Sequence, residues 1–197
     1  MSNPSTRPPG TATAHGSLAV SDWVRRWSHL VPAPGTVLDI ACGSGRHTRW
    51  FHGRGCAVTA VDRDAAALKD LQDIARIRVA DIEAGPWPLP GERFDAVVVT
   101  NYLWRPLLSQ VAASLAESGV LIYETFAAGN ARVGKPSNPD FLLRPGELLQ
   151  WAAAHGLRVV AYEDGFASDP DRYIQRIVAI RPGAGDTGLR RHPLHGA

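Results

Sequence analysis

The sequence predicts an open, three-layer α/β sandwich: one mostly parallel sheet with helices on both faces. Three observations predict it. From Val37 onward, short β-branched runs alternate with segments of helical period. "FDAVVVTN" is a continuous apolar run of the kind buried on both faces of a parallel sheet. The last two strand-like segments, "LRVVAYED" and "YIQRIVAIRP", have only the turn-rich "GFASDPDR" between them, so they should pair antiparallel.

The elements follow in order. "SLAVSDWVRRWSHLVP" places Leu18, Trp23, Val24 and Trp27, then Leu30 or Val31, at helical spacings, with Ser21 as cap and Pro32 and Pro34 as the stop. "TVLDIA" is the first strand. "GRHTRWFHGRG" is a short helix closed by Gly53 or Gly55. "CAVTAVD" is the second strand, and "DAAALKDLQDIA" a helix capped by Asp64. "IRVAD" is the third strand and "FDAVVVTN" the fourth. "RPLLSQVAASLAES" is a helix with Pro106 in its first turn. "GVLIYETF" is the fifth strand. "RPGELLQWAAAHG" is a helix stopped by Gly156, ahead of the two closing strands.

The chain of 197 residues suits one domain with a real core. Residues 1–16 are polar and rich in Pro, Gly, Ser and Thr, and read as a flexible leader; 183–197 read as a flexible tail; 17–182 form the domain. The net charge of +2 comes from the ends, so the body is near −1, which argues against a broad nucleic-acid face. Only two of the 21 basic residues, Lys69 and Lys135, are lysines, which we read as genome composition. Cys42 and Cys56 have no metal-ligand or CxxC spacing, no metal site is expected, and no apolar run approaches the ~18 residues of a membrane span. With no secretory segment at the start, the cytoplasm is the expected compartment. A monomer is the simple expectation for the assembly.

In an open α/β sheet, ligands sit outside the carboxyl ends of the strands. "VLDIACGSGRHT" puts a glycine turn there, with Gly43 and Gly45 free to adopt backbone angles closed to other residues. The dinucleotide fingerprint G-x-G-x-x-G fails, because its third position is Thr48. Asp39 lies just before the glycines, where it would repel a pyrophosphate and attract an ammonium group. That combination suits a ligand carrying adenosine and a cationic amino acid, which describes S-adenosylmethionine. Asp62 ends the second strand, where an acid can accept both ribose hydroxyls. Asp81 follows the third strand and can accept from the adenine amine, with Ile82 against the ring. Asn101 follows the fourth strand and reaches the middle of the same crevice.

This array, from about Val37 to Pro182, resembles the class I S-adenosylmethionine-dependent methyltransferases. "ACGSGRHT", "ADIEAGPWPLP", "TNYLWRPL" and "YETFAAGNARVGKPSNPDFLLRPGELL" narrow the resemblance to small bacterial members similar to tellurite-resistance methyltransferases. The resemblance implies a Rossmann-like, seven-stranded sheet whose last strand is antiparallel. It implies cofactor contacts at Asp39, Gly43, Gly45, Asp62, Asp81, Ile82 and Asn101, and we add their neighbours Ala41 and Arg63.

Plainer roles stand beside these. Asp39 can tie down the turn, Asp81 can be a turn residue, Cys42 and His47 can be packing groups, and Trp23 and Trp27 can pack the first helix. No general base declares itself. Tyr102, Arg105, Tyr123 and Glu124 follow strands four and five and are the catalytic candidates, each more often structural than catalytic: Arg105 for an anionic substrate group, Glu124 as a base or a buried partner for arginine. The long segment 127–143 reads as a lid, with Asn130, Arg132, Lys135 and Asn138 as donors toward an anionic or polar small molecule. "NYLW" is not the D/N-P-P-Y/F stretch of amino-directed DNA and glutamine methyltransferases, and no dedicated nucleic-acid module is present. The expected activity is methyl transfer from S-adenosylmethionine to a small-molecule acceptor, anionic or a soft nucleophile. The alternatives are a non-catalytic sensor or scaffold that binds the cofactor, an NAD(P)-dependent oxidoreductase, and a tRNA or protein methyltransferase.

Overall fold

The structure, a computed structural model, describes residues 19–185 and 191–195. The expected leader, Leu18 and part of the expected tail lie outside the described residues. Seven strands form one sheet: β1 (Thr36–Ile40), β2 (Ala57–Asp62), β3 (Ala75–Val79), β4 (Phe94–Thr100), β5 (Leu115–Phe126), β6 (Arg158–Ala167) and β7 (Arg172–Ile180). Their order is β3-β2-β1-β4-β5-β7-β6. All pairings are parallel except β5 with β7 and β6 with β7. The sheet is therefore the predicted one, with β7 the antiparallel strand. The chain departs from β1 first toward β3 and then, through β4, toward β6, so the crevice at the carboxyl ends opens between β1 and β4.

Strand alternation sends side chains to two cores. On one face, helix α1 (Asp22–Trp27) and helix α2 (Arg46–Gly53) cover Val37, Val58, Val98, Ile122 and Val178. Trp23 and Trp27, each 2% exposed, anchor that layer edge to face, 5.7 Å between ring centres. Their packing role is thus the one the structure shows. On the other face, helix α4 (Leu108–Ala113) and helix α5 (Glu147–Ala154) cover Leu38, Val97, Leu121 and Ile177. Ser21 caps α1 by accepting the amide of Trp23 at 3.2 Å, and Asp64 caps helix α3 (Ala65–Leu68) by accepting the amides of Ala66 and Ala67. Gly55 and Gly156, both left-handed, follow α2 and α5 as the stops.

Two helices are shorter than their sequence pattern. After four residues α3 tightens into a 3-10 turn, Lys69–Leu71, which turns Leu71 inward against the cluster of Cys42, Ala60 and Leu68. The helix after β4 ends at Ala113, because Leu115 pairs with Phe94 and enters the sheet. Pairing and burial override helix propensity there. A bulge between Phe94 and Ala96, and Ser118 with φ +62°, absorb the mismatch.

Candidate active site

The turn after β1 is built around one carboxylate. The Asp62 Oδ2 accepts the amide of Gly43 at 2.7 Å, and its Oδ1 accepts the amide of Asp64 at 2.9 Å. Asp62 thereby holds the end of β2 against the glycine turn. The two glycines differ. A side chain at Gly43 would meet nothing within 4 Å, so the backbone there faces open space, as close ligand approach requires. A side chain at Gly45 would collide with Leu71, so Gly45 serves packing as well as its left-handed φ of +77°. Gly45→Ala is expected to cost about 2–4 kcal/mol, from left-handed strain and overpacking together. Thermal unfolding should show a Tm lower by roughly 5–15 °C, and in a double-mutant cycle with Leu71→Ala the two losses should fall short of additive by the packing part. An unchanged Tm would reject this account.

Beside the turn lies a cavity of about 220 Å³ lined by Ala41, Asp62, Arg63, Ala80, Asp81, Ile82, Glu83 and Tyr102. Five of the expected cofactor positions meet in it: Ala41, Asp62, Arg63, Asp81 and Ile82. Asp81 uses Oδ1 to accept the amides of Glu83 (3.0 Å) and Ala84 (3.1 Å), and these bonds hold its carboxyl below the usual range. A second cavity, about 210 Å³, adjoins it and is lined by Glu83, Asn101, Tyr102, Leu103, Thr125, Phe126, Pro136 and Phe141. Asn101 thus falls on the second cavity rather than the first. Each volume is below the ~300 Å³ at which sites for whole ligands begin, so each suits part of an assembly. Glu83 and Tyr102 form the shared wall. The Tyr102 hydroxyl is buried beside the Glu83 carboxylate. Burial, and then the charge of Glu83, push its phenol above the ordinary range, so it stays a neutral donor rather than a phenolate base.

Asp39 does not line either cavity. It is 1% exposed and accepts the Thr48 hydroxyl at 2.7 Å from α2, so the structure gives it the tying role. Burial raises its carboxyl to about 7, against the lowering effects of Thr48 and the Arg46 charge. His47 is also buried: it takes the Ser21 amide on Nε2 and meets the Thr100 hydroxyl at Nδ1, 3.3 Å each. Burial, then Arg46, lower it to about 3, so it is a neutral bracket between α1, α2 and β4. Burial, then the charges of Asp39 and Asp62, push the Cys42 thiol far up, which leaves it inert as expected.

Two of the catalytic candidates are committed elsewhere. Arg105, a candidate for an anionic substrate group, instead clamps α5 and the long loop. Its Nε and Nη2 donate to Glu147 Oε1 and Oε2 at 2.7 and 2.9 Å, and its Nη1 and Nη2 donate to the carbonyls of Asp140 (2.6 Å) and Leu142 (2.8 Å). Glu124, 5% exposed, accepts the Ser21 hydroxyl at 2.8 Å and pairs with Arg176 at 3.2 Å. Of its two expected roles it fills that of buried partner. The loop itself is fastened at its ends, where Ala127 bridges Leu143 and the Ala128 amide donates to the Leu143 carbonyl. Asn130 is not a substrate donor: it is 1% exposed, gives its amide to the Pro136 carbonyl and accepts the Tyr173 amide. Asn138 caps the turn Pro139–Phe141. Arg132 and Lys135 are exposed on the tip. The residues sequence reasoning missed are Glu83, Thr125, Phe126, Pro136 and Phe141. Phe141, an aromatic within an otherwise polar loop, was the one available signal.

Residues 37–119, which hold the turn, β2 and β4, match a methyltransferase domain family. That stretch of the chain is similar to methyltransferase domains. A tRNA U34 carboxymethyltransferase of Haemophilus influenzae (strain PittGG) is 29% identical over 164 residues, 72% of this chain and 51% of that protein. The chain therefore spans about half the length of this curated relative. TehB from Haemophilus influenzae shares the fold, with a TM-score of 0.64 at 18% identity, over 81% of this chain and 61% of that one. So does a Burkholderia thailandensis 1,6-didemethyltoxoflavin-N1-methyltransferase with bound 1,6-didemethyltoxoflavin and S-adenosylhomocysteine, TM-score 0.60 at 18% identity over 81% and 76%.

Open space lies above the Gly43 backbone, the Asp62 carboxylate sits beside it, and the Tyr102 hydroxyl stands in the shared wall next to Glu83. No helix among the described residues is long and apolar enough to cross a membrane.

Proposed function

We propose that the chain is a methyltransferase acting on a small-molecule acceptor held in the second cavity. One observation carries this: the two cavities share a wall, Glu83 and Tyr102, so a ligand in one meets a ligand in the other. In this reading the first cavity takes the adenosyl group, with Asp62 toward the ribose and Ile82 along the base. Asp39 sits under the turn as a buried charge facing the ammonium. The cofactor supplies the electrophilic methyl group; the protein positions the acceptor and keeps water out.

The second cavity also describes its occupant. Leu103, Phe126, Pro136 and Phe141 offer an apolar body, while Asn101, Thr125 and Glu83 offer hydrogen bonds. With Arg105 and Asn130 committed to the fold, this lining favours a compact apolar or aromatic acceptor over a small anion. In this reading Arg132 and Lys135, exposed at the loop tip, serve as polar selectors. Phe141→Ala is expected to raise the acceptor KM by about tenfold, the usual worth of one aromatic contact, while cofactor affinity stays put. Equal loss of both would place Phe141 in the scaffold instead.

The test of the function is turnover of labelled S-adenosylmethionine against aromatic amines, phenols, thiols, oxyanions and tRNA. Turnover on a small molecule supports the reading, and turnover on tRNA alone overturns it. The tRNA arm is included because the curated relative carries a tRNA name at 29% identity.

A further inference from the structure

The second cavity carries a single charge. Among its lining residues only Glu83 is ionised at neutral pH, and no lysine, arginine or histidine is present. The loop cations Arg132 and Lys135 line neither cavity, and Arg105 is bound to Glu147. Glu83 itself is exposed, and no basic side chain pairs with it among the described residues. The first cavity adds Asp62 and Asp81 against one cation, Arg63. The space on both sides of the shared wall is therefore acidic on balance.

Glu83 is also held in place. The chain leaving β3 wraps around Asp81, whose Oδ1 accepts the Glu83 amide at 3.0 Å and whose carbonyl accepts the Gly85 amide at 2.8 Å. A side chain at Gly85 would stand 2.9 Å from that carbonyl, so the turn closes this tightly only with glycine. The part of the wall that comes from β4 is equally firm. The Asn101 amide donates to the Glu124 carbonyl at 2.9 Å, and the Tyr102 carbonyl accepts the Tyr123 hydroxyl at 2.9 Å. The carboxylate is thus set at the boundary of the two cavities before any acceptor enters.

What crosses that boundary in methyl transfer is positive charge. An amine acceptor ends with the charge on its nitrogen, where a fixed carboxylate stabilises it. A thiolate or oxyanion acceptor must first sit as an anion beside the same carboxylate, which repels it. A hydroxyl acceptor must become anion-like there as well. We propose that the methyl acceptor is an amine on a compact apolar or aromatic body, and that Glu83 pairs with its nitrogen. This rests on the acceptor occupying the second cavity, as the proposed function has it. The nitrogen arrives as an ammonium group paired with Glu83 and gives one proton, through that carboxylate, to water. Its freed lone pair then attacks the methyl carbon as the carbon–sulfur bond breaks, the bonding pair going to sulfur. Sulfur ends as a neutral thioether, the product is an N-methylammonium still paired with Glu83, and one proton has gone to solvent.

Benzylamine, benzyl alcohol and phenylmethanethiol share one skeleton and differ at the acceptor atom, so they test this on the full chain. In isothermal titration, benzylamine should bind about tenfold more tightly than benzyl alcohol, and Glu83→Gln should remove the difference. In turnover of labelled S-adenosylmethionine, Glu83→Gln should lower kcat/KM for benzylamine by about tenfold to a hundredfold, and Glu83→Asp should recover part of it. Glu83 is exposed, so an unchanged Tm is expected and shows that the variants fold. Equal binding of the amine and the alcohol by the unaltered protein would overturn the proposal, as would equal losses for both in Glu83→Gln. Turnover of a thiol or an oxyanion without any amine would overturn it too, and would leave the small-molecule reading standing. Turnover of tRNA alone defeats that reading first, and the amine proposal with it.

Discussion

Asp62→Ala is expected to reduce S-adenosylhomocysteine affinity by about a hundredfold or more. The carboxylate holds two backbone amides in the free protein, from Gly43 at 2.7 Å and Asp64 at 2.9 Å. Its remaining lone pairs face the cavity it lines. Removing it costs the ligand its charged acceptor, at about 1.5–3 kcal/mol per charge-assisted bond, and frees the turn the ligand must lie against. Asn at this position keeps the Oδ1 acceptor but cannot serve both amides without its own N–H groups turning toward one of them. Asp62→Asn should therefore bind between the wild type and Asp62→Ala. The loss should be equal for 5′-methylthioadenosine, which keeps the ribose but lacks the amino-acid tail. Titration calorimetry checks this, and wild-type affinity in Asp62→Ala would remove Asp62 from the site.

The second large effect concerns pH. Burial raises the folded-state pKa of Asp39 from 3.8 to about 7. A carboxyl whose folded pKa is raised binds its proton more tightly in the native state. Its contribution is present below about pH 4 and is lost as pH rises through about 7. The loss has a ceiling of about 4 kcal/mol at roughly 1.4 kcal/mol per unit. Asp39→Asn stays neutral and still accepts the Thr48 hydroxyl. The variant should match the wild type near pH 4 and exceed it increasingly toward pH 8, by roughly 5–15 °C in Tm without ligand. A gap that does not change with pH would mean that Asp39 is ionised throughout. With S-adenosylhomocysteine present the gap should narrow, because an ammonium nearby stabilises the charge that the free protein holds at a cost. The destabilising charge is then explained by what it waits for.

The parts of the fold that local pattern controls were legible. The β-branched runs, the turn glycines and the caps at Ser21 and Asp64 lie where the sequence placed them, because each depends on neighbours within a few residues. So was the antiparallel closing pair, since four turn residues between β6 and β7 leave no room for a crossover. The conjunction of Ala41, Asp62, Asp81 and Ile82 was legible for a topological reason: parallel strands bring their carboxyl ends to one edge. What was not legible depends on distant partners. Arg105 looks free in sequence, but its carboxylate lies 42 residues on, in α5. Asn130 looks like a loop donor, yet it is buried by Tyr173, 43 residues away. The short helices α3 and α4 failed for the same cause: Leu71 and Leu115 answer to the sheet rather than to the helical period.

The fastening of segment 127–143 has a consequence for how this site changes over time. Because the Ala127–Leu143 bridge and the four bonds of Arg105 pin both ends, the exposed tip carries almost none of the folding burden. Such a tip is an interchangeable part. Substitutions there can alter what reaches the second cavity while leaving the glycine turn and the first cavity undisturbed.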